Sequence, residues 1–189
     1  MKQILALLSS IILCSCTNSE KFVDRTIMLN DGLGKIELML PNSCDSFTHK
    51  KGAIIHDRLK GDMFDHSYYS YSTSNKHELP HFTISFKHQP FDITNKDITF
   101  DSSICSQFLS DNHAQDFLGY LIERKCLLIN KRYFTTEIIG STQQAGSEIT
   151  LRAYTYIGRR ILNTNIRATV KDTSQVYSQM LKILKSISF

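Results

Sequence analysis

Between residues 34 and 41 the apolar side chains fall at every second position: Ile36, Leu38 and Leu40. A period of two puts them on one face of a strand, and Pro41, which lacks an amide proton, stops it. Asn30-Asp31-Gly32 has turn chemistry, which makes residues 26–29 the expected hairpin partner. Phe82, Ile84 and Phe86 alternate with Thr83, Ser85 and Lys87, which predicts a half-buried strand. Three more strands are predicted over residues 133–139, 149–157 and 161–170. Gly158-Arg159 is the tight turn between the last two. In the last strand Leu162, Thr164, Ile166, Ala168 and Val170 line one face.

The period lengthens in two places. Ala114, Phe117, Leu118, Leu121 and Ile122 follow i, i+3, i+4, i+7, i+8, which predicts a helix over residues 111–124 with Ser110 or Asp111 as its cap. Residues 101–109 are expected to add an earlier turn. From about Thr173, Val176, Met180, Ile183, Leu184 and Ile187 form one stripe, with Lys182 and Lys185 outside it. A single-striped helix that follows an antiparallel meander packs across one sheet face. The expected fold class is therefore α+β, an antiparallel sheet flanked by helices. Residues 42–80 show little pattern and read as loops with one or two strands. Tyr68, Tyr69 and Tyr71 stand in their middle. They read as an edge strand with outward tyrosines, or as a partner-binding patch, since tyrosine offers contact area at low entropy cost.

The amino terminus carries a different signal. Met1-Lys2-Gln3 precedes an apolar run from Ile4 to Leu13, too short to span a bilayer as a mature helix. The run ends in Leu13-Cys14-Ser15-Cys16, which resembles the lipobox of bacterial lipoproteins. That resemblance implies cleavage before Cys16 and lipidation of Cys16, which becomes the new amino terminus. The expected organisation is a signal peptide over 1–15, a lipidated cysteine and tether over 16–24, and one globular domain over 25–189. Acyl chains contribute about 0.8 kcal/mol per buried CH₂, so the anchor implies membrane attachment. No Asp follows Cys16, which by the same resemblance favours the outer membrane, facing the periplasm.

The formal net charge of the 189 residues is +4, with no basic run and no basic-aromatic interleaving, so nucleic-acid binding has no support. Cys44, Cys105 and Cys126 follow the lipobox. In an oxidising envelope one pair can form and leave one thiol over; equally, all three can be buried and reduced.

His77-Glu78-Leu79-Pro80-His81 fits H-E-x-x-H. That motif needs a helix to set both imidazoles on one face around zinc. Pro80 breaks such a helix at a cost of roughly 3 kcal/mol, and the following residues have strand period. No zinc-protease site is therefore assigned. His56, His66, His77, His81 and His88 still crowd one half of the chain, which keeps a metal-binding protein or metal-dependent hydrolase as the alternative. Gly32-Leu33-Gly34-Lys35 lacks the first glycine and the Ser/Thr of a phosphate loop. No G-x-S-x-G is present. No catalytic residue, metal ligand or cofactor is assigned.

Ile36-Glu37-Leu38-Met39-Leu40-Pro41 at the front and Ile183-Leu184-Lys185-Ser186-Ile187-Ser188-Phe189 at the end resemble the Mog1p/PsbP-like family, including its DcrB/LpqN-type lipoproteins. The resemblance implies an α/β/α sandwich and a role in binding or assembly, and it carries no catalytic residues. The expected function is that of a non-catalytic, lipid-anchored envelope protein that binds another protein, such as a toxin or a secretion component. A third expectation is a small-ligand pocket lined by Tyr68, Tyr69 and Tyr71.

Overall fold

Five long strands form the backbone of the molecule, each hydrogen-bonded to the next in an antiparallel ladder. The computed structural model describes residues 21–29, 33–50, 55–56, 63–64, 67–75, 80–90, 101–110, 120–143, 146–157, 160–170 and 173–189. In chain order the strands are β1 (Phe22–Met28), β2 (Lys35–Pro41), β3 (Ser46–Lys50), β4 (Ile55–His56), β5 (Met63–Phe64), β6 (Tyr68–Ser72) and β7 (His81–Pro90). Helix α1 (Ser102–Ser110) precedes β8 (Tyr120–Ile129), β9 (Arg132–Gln143), β10 (Gly146–Ile157) and β11 (Arg160–Val170), and α2 (Thr173–Ser186) follows. Seven strands form one antiparallel sheet in the order β3-β6-β7-β11-β10-β9-β8. The β1–β2 hairpin and the short β4–β5 ribbon are separate two-stranded sheets.

Strand alternation sorts the sheet into two faces. Phe82, Ile84 and Phe86 pair with Ala168, Ile166 and Thr164, and Ile166 and Ala168 pair in turn with Leu151 and Ile149. All are buried, and they share one core with Ile27, Ile36, Leu38 and Leu40 of the hairpin and with Val176, Met180, Ile183 and Leu184 of α2. The inner face is thus covered by a β-hairpin and a helix together. On the other face Arg152 lies between Glu137 and Asn165, and Asn165 leads on to Ser85 and Ser70, a polar row across the sheet. One polar face is ordinary for an antiparallel sheet. Helix α1 covers this face at the β8–β9 end, where Cys105 and Tyr156 are buried beside Cys126, Tyr133 and Ile161.

The expected α+β sandwich flanked by helices is corrected to a mostly-β fold. Two expectations are corrected. The predicted helix over 111–124 gives way from Tyr120 onward to strand β8; residues 111–119 lie outside the described residues. Asn130 and Lys131 explain the strand. Both have positive φ, 47° and 66°, and they join Ile129 to its partner Arg132 in a two-residue turn, the geometry that matches the twist of a hairpin. The helix lies earlier, over Ser102–Ser110, where Asp101 Oδ1 accepts hydrogen bonds from the amides of Ser103 (2.9 Å) and Ile104 (3.0 Å). The second error concerns the tyrosines. β6 lies inside the sheet, between β3 and β7, and Tyr69 and Tyr71 point into the core.

The hairpin β1–β2, the strand at residues 82–87, the three carboxyl-terminal strands and the closing helix are found as expected. The Asn30-Asp31-Gly32 and Gly158-Arg159 turns lie outside the described residues.

Candidate functional site

The exposed apolar surface concentrates on β8. Tyr120 is 60% exposed, Leu121 46% and Ile122 52%, and β8 is the last strand of the sheet. The ladder has a bulge here: Leu121 pairs with Ile139, Glu123 with Ile138, and Ile122 is the extra residue. Its effect on orientation is direct. Tyr120 and Glu123 differ by an odd number of residues and would point to opposite faces of a regular strand. The bulge places both over the inner face, opposite Gly140 and Ile138.

A cleft of about 420 Å³ opens beside them, a volume within the range of ligand pockets. β8 contributes Tyr120, Ile122 and Glu123 to its lining, and β9 contributes Ile138 and Gly140. Ser147, Glu148 and Ile149 of β10 and Tyr177 of α2 complete it. Gly140 is required. A Cβ placed there would sit 2.6 Å from Cζ of Tyr120, so the tyrosine ring lies against bare backbone.

Glu123 is held by two partners. Lys125 Nζ donates to both of its carboxylate oxygens at 2.9 Å, and Tyr177 donates its hydroxyl to Oε2 at 2.8 Å. Lys125 Nζ also lies 3.2 Å from the Tyr177 hydroxyl. The Lys125 hydrogen bond and then that of Tyr177 hold the Glu123 carboxyl below its ordinary pKa. The Lys125 ammonium is raised by its bond to Glu123. The Tyr177 phenol is raised by burial and by its bond to Glu123. On the other face of the sheet Glu148 lies 3.4 Å from Nε of Arg167, whose side chain is 58% exposed. No family model matches the chain, and no curated protein does.

The cleft therefore has an apolar floor of Ile138 and Ile149, two tyrosines, and one carboxylate, Glu123, already paired with Lys125. Among the described residues Ser147 is the one aliphatic hydroxyl in the lining, and no histidine lines the cleft beside it.

Few of the residues singled out in the sequence meet there. Tyr69 and Tyr71 are buried and Tyr68 is half-buried, so the three do not form an exposed patch. Tyr69 stacks on His49 with ring centroids 4.5 Å apart, and Tyr71 lies 4.7 Å from Phe47. His81 begins β7, while His77 and Glu78 lie outside the described residues. His81 and His88 are seven residues apart on one strand, so they face opposite sides of the sheet. His88 is buried, with Nδ1 3.0 Å from Nη1 of Arg160. Among the described residues no three His, Cys, Asp or Glu side chains are grouped to hold a metal ion. Cys16 lies outside the described residues. Cys105 and Cys126 form a disulfide with a Cα separation of 6.0 Å. Cys44 is buried, its sulfur 3.9 Å from Oγ1 of Thr73. Among the described residues, no helix is long and apolar enough to cross a membrane.

The cleft residues Tyr120, Glu123, Gly140, Glu148 and Tyr177 were missed in the sequence. One signal was available: the apolar run Tyr120-Leu121-Ile122 passes abruptly into Glu123-Arg124-Lys125.

Proposed function

We propose that the chain is a lipid-anchored protein of the bacterial envelope, attached through Cys16, that works without catalysis by binding another protein. The observation that carries this reading is the exposed run Tyr120-Leu121-Ile122 on the terminal strand of the sheet, next to the cleft. Exposed apolar side chains scattered singly are ordinary, but three in succession at a sheet edge are not. An edge strand presents unpaired amides and carbonyls that an extended segment of a partner can satisfy. The disulfide between Cys105 and Cys126 supports an oxidising compartment such as the envelope. Kinship with the Mog1p/PsbP-like family belongs to the same proposal. The two phrases that suggest it adjoin in the fold, where the amide of Ser188 donates to the carbonyl of Glu37 at 2.8 Å. The more specific form is an immunity lipoprotein that neutralises an incoming toxin at the outer membrane. Rescue of toxin-expressing cells by the chain supports that form, and its failure removes it.

The general reading is tested by replacing Leu121 with a photo-crosslinking phenylalanine in cells, with the exposed Thr26 as the control site. A discrete protein adduct from position 121 and none from position 26 is expected. Equal labelling at both sites, or none at either, overturns the reading.

A further inference from the structure

We infer that the layer made by the β1–β2 hairpin and α2 lies against the bilayer, with Lys21, Lys182 and Lys185 on anionic phospholipid headgroups and Phe22 and Met39 beside them. This rests on the Cys16 anchor proposed above and adds which face of the domain the anchor holds to the membrane. Lys21 follows Cys16 by five positions, and an extended chain spans at most about 3.6 Å per residue, so Lys21 stays within about 18 Å of the acylated cysteine. Its place on the domain is fixed, because its carbonyl accepts a hydrogen bond from the amide of Asn42 at 2.8 Å, just past the end of β2. The side of the domain around Lys21 is therefore kept close to the surface.

That side has the chemistry of a membrane contact. Lys21 is exposed, and so are Lys182 and Lys185 on the outward side of α2. The Lys182 ammonium stands 3.8 Å from the centroid of the Phe22 ring, which brings the helix to the start of β1. Lys185 precedes Ser186, whose Oγ accepts a hydrogen bond from the Met39 amide at 2.8 Å, so it belongs to the same neighbourhood. Leu38 and Leu40 point into the core, so Met39 between them points outward, 36% exposed. Among the described residues no ion pair holds Lys21, Lys182 or Lys185, whereas Lys35 on the same hairpin is paired with Glu37. Asp24, opposite Met39 in the hairpin, is the opposing charge, and the lysines outnumber it. Lysines within a Debye length of an anionic surface are drawn to it, and apolar side chains beside them add interfacial contact.

The test uses the chain as acylated in a bacterial host, its mass checked for the acyl groups, and inserted into vesicles of phosphatidylcholine with about 30% phosphatidylglycerol. A nitrobenzoxadiazole label is placed at Met39→Cys or, as control, at Ser103→Cys, an exposed position of α1 on the opposite face of the sheet. Cys44 is buried and Cys105 and Cys126 are bonded, so neither site competes for the label. A lipid with a nitroxide on its headgroup is the quencher. Position 39 is expected to be quenched about threefold more than position 103. In phosphatidylcholine alone, or at about 0.5 M salt, the ratio is expected to fall below about 1.5. The triple variant Lys21→Glu, Lys182→Glu, Lys185→Glu is expected to lose the ratio in the anionic vesicles while still floating with them and keeping its circular dichroism spectrum. Lipid composition and salt decide the matter should that variant misfold. Equal quenching at the two positions in the anionic vesicles overturns the inference. So does a ratio that neither salt nor lipid charge alters, since the tether alone would then set the orientation. Either result, from a chain that carries acyl groups and floats, leaves the anchor reading standing. A mass without acyl groups sinks both.

Discussion

Glu123, Lys125 and Tyr177 show how three modest residues fix the wall of a cleft. Glu123 and Lys125 are two apart on one strand, so their side chains share a face, and α2 brings Tyr177 over them. The bonds to Lys125 and Tyr177 depress the Glu123 carboxyl below its ordinary 4.5, so its contribution to stability is complete above that pH and is lost as pH falls through the depressed folded value. Lys125 is raised above 10.5, so its contribution is complete below that pH and is lost as pH rises through the raised folded value. Between those limits Lys125→Met is expected to lower the urea midpoint slightly, because the pair is partly exposed and screened. As pH falls from the ordinary 4.5 through the depressed folded value, the gap from the parent is expected to narrow as Glu123 takes up its proton. A gap that stays constant from neutral pH to pH 3 would show that the triad adds nothing. None of this was visible in the sequence, because the grouping depends on a bulge at Ile122 and on which face α2 crosses. Gly140 was equally silent. A glycine in a strand suggests a close approach of some group, but the chain alone does not say that the group is Tyr120.

The element that sequence periodicity misassigned is the most instructive one. Leu121 and Ile122 completed a helical stripe over residues 111–124, yet both side chains are exposed, so they mark a surface run rather than a core face. The two-residue turn Asn130-Lys131 has the dihedral angles of a hairpin, but lysine at the second position hides the asparagine-glycine signal that such turns usually show. The strands at residues 82–87, 149–157 and 161–170 were legible because their period-two pattern coincides with burial on one face. β6 was not, since serine and tyrosine alternate there with little contrast in polarity. Helix α1 packs on β8 and β9, and its tie is covalent: Cys105 in the helix is bonded to Cys126 in β8. Arg124 adds a hydrogen bond to the Leu109 carbonyl at 3.3 Å. For the 21-residue separation, removing the disulfide is expected to cost about 3 kcal/mol in the double variant Cys105→Ala, Cys126→Ala. Hydrogen exchange is the discriminating measurement. Protection over residues 102–110 is expected to fall most, with β10 and β11 keeping theirs away from Tyr156 and Ile161, because α1 packs chiefly on β8 and β9. Uniform loss across the sheet would mean that the bond supports the whole fold rather than one helix.

At the scale of the molecule, the last three residues join parts that are far apart in sequence. Ile187 is fully buried in the core shared by the sheet, the hairpin and α2. Its carbonyl accepts a hydrogen bond from Nδ2 of Asn130 at 2.6 Å, which ties the β8–β9 turn to the carboxyl terminus. Ser188 exchanges two backbone hydrogen bonds with Glu37, at 2.8 and 3.0 Å, so the tail adds to the edge of β2. Phe189 lies under the Arg132 guanidinium, 4.5 Å from ring centroid to carbon, and is 41% exposed. These positions imply an order of cost. Ile187→Ala removes a fully buried side chain at the meeting point of two layers and is expected to cost about 3 kcal/mol. Phe189→Ala loses a partly solvated cation–π contact and is expected to cost about 1 kcal/mol or less. Deletion of residues 187–189 removes the buried side chain, the β2 bridge and the Asn130 acceptor together. It is expected to exceed either single change and to lower protection in β1, β2 and the β8–β9 turn at once. Denaturant midpoints for the three variants decide the matter. A larger loss from Phe189→Ala than from Ile187→Ala would mean that this segment is held by its exposed phenylalanine rather than by Ile187.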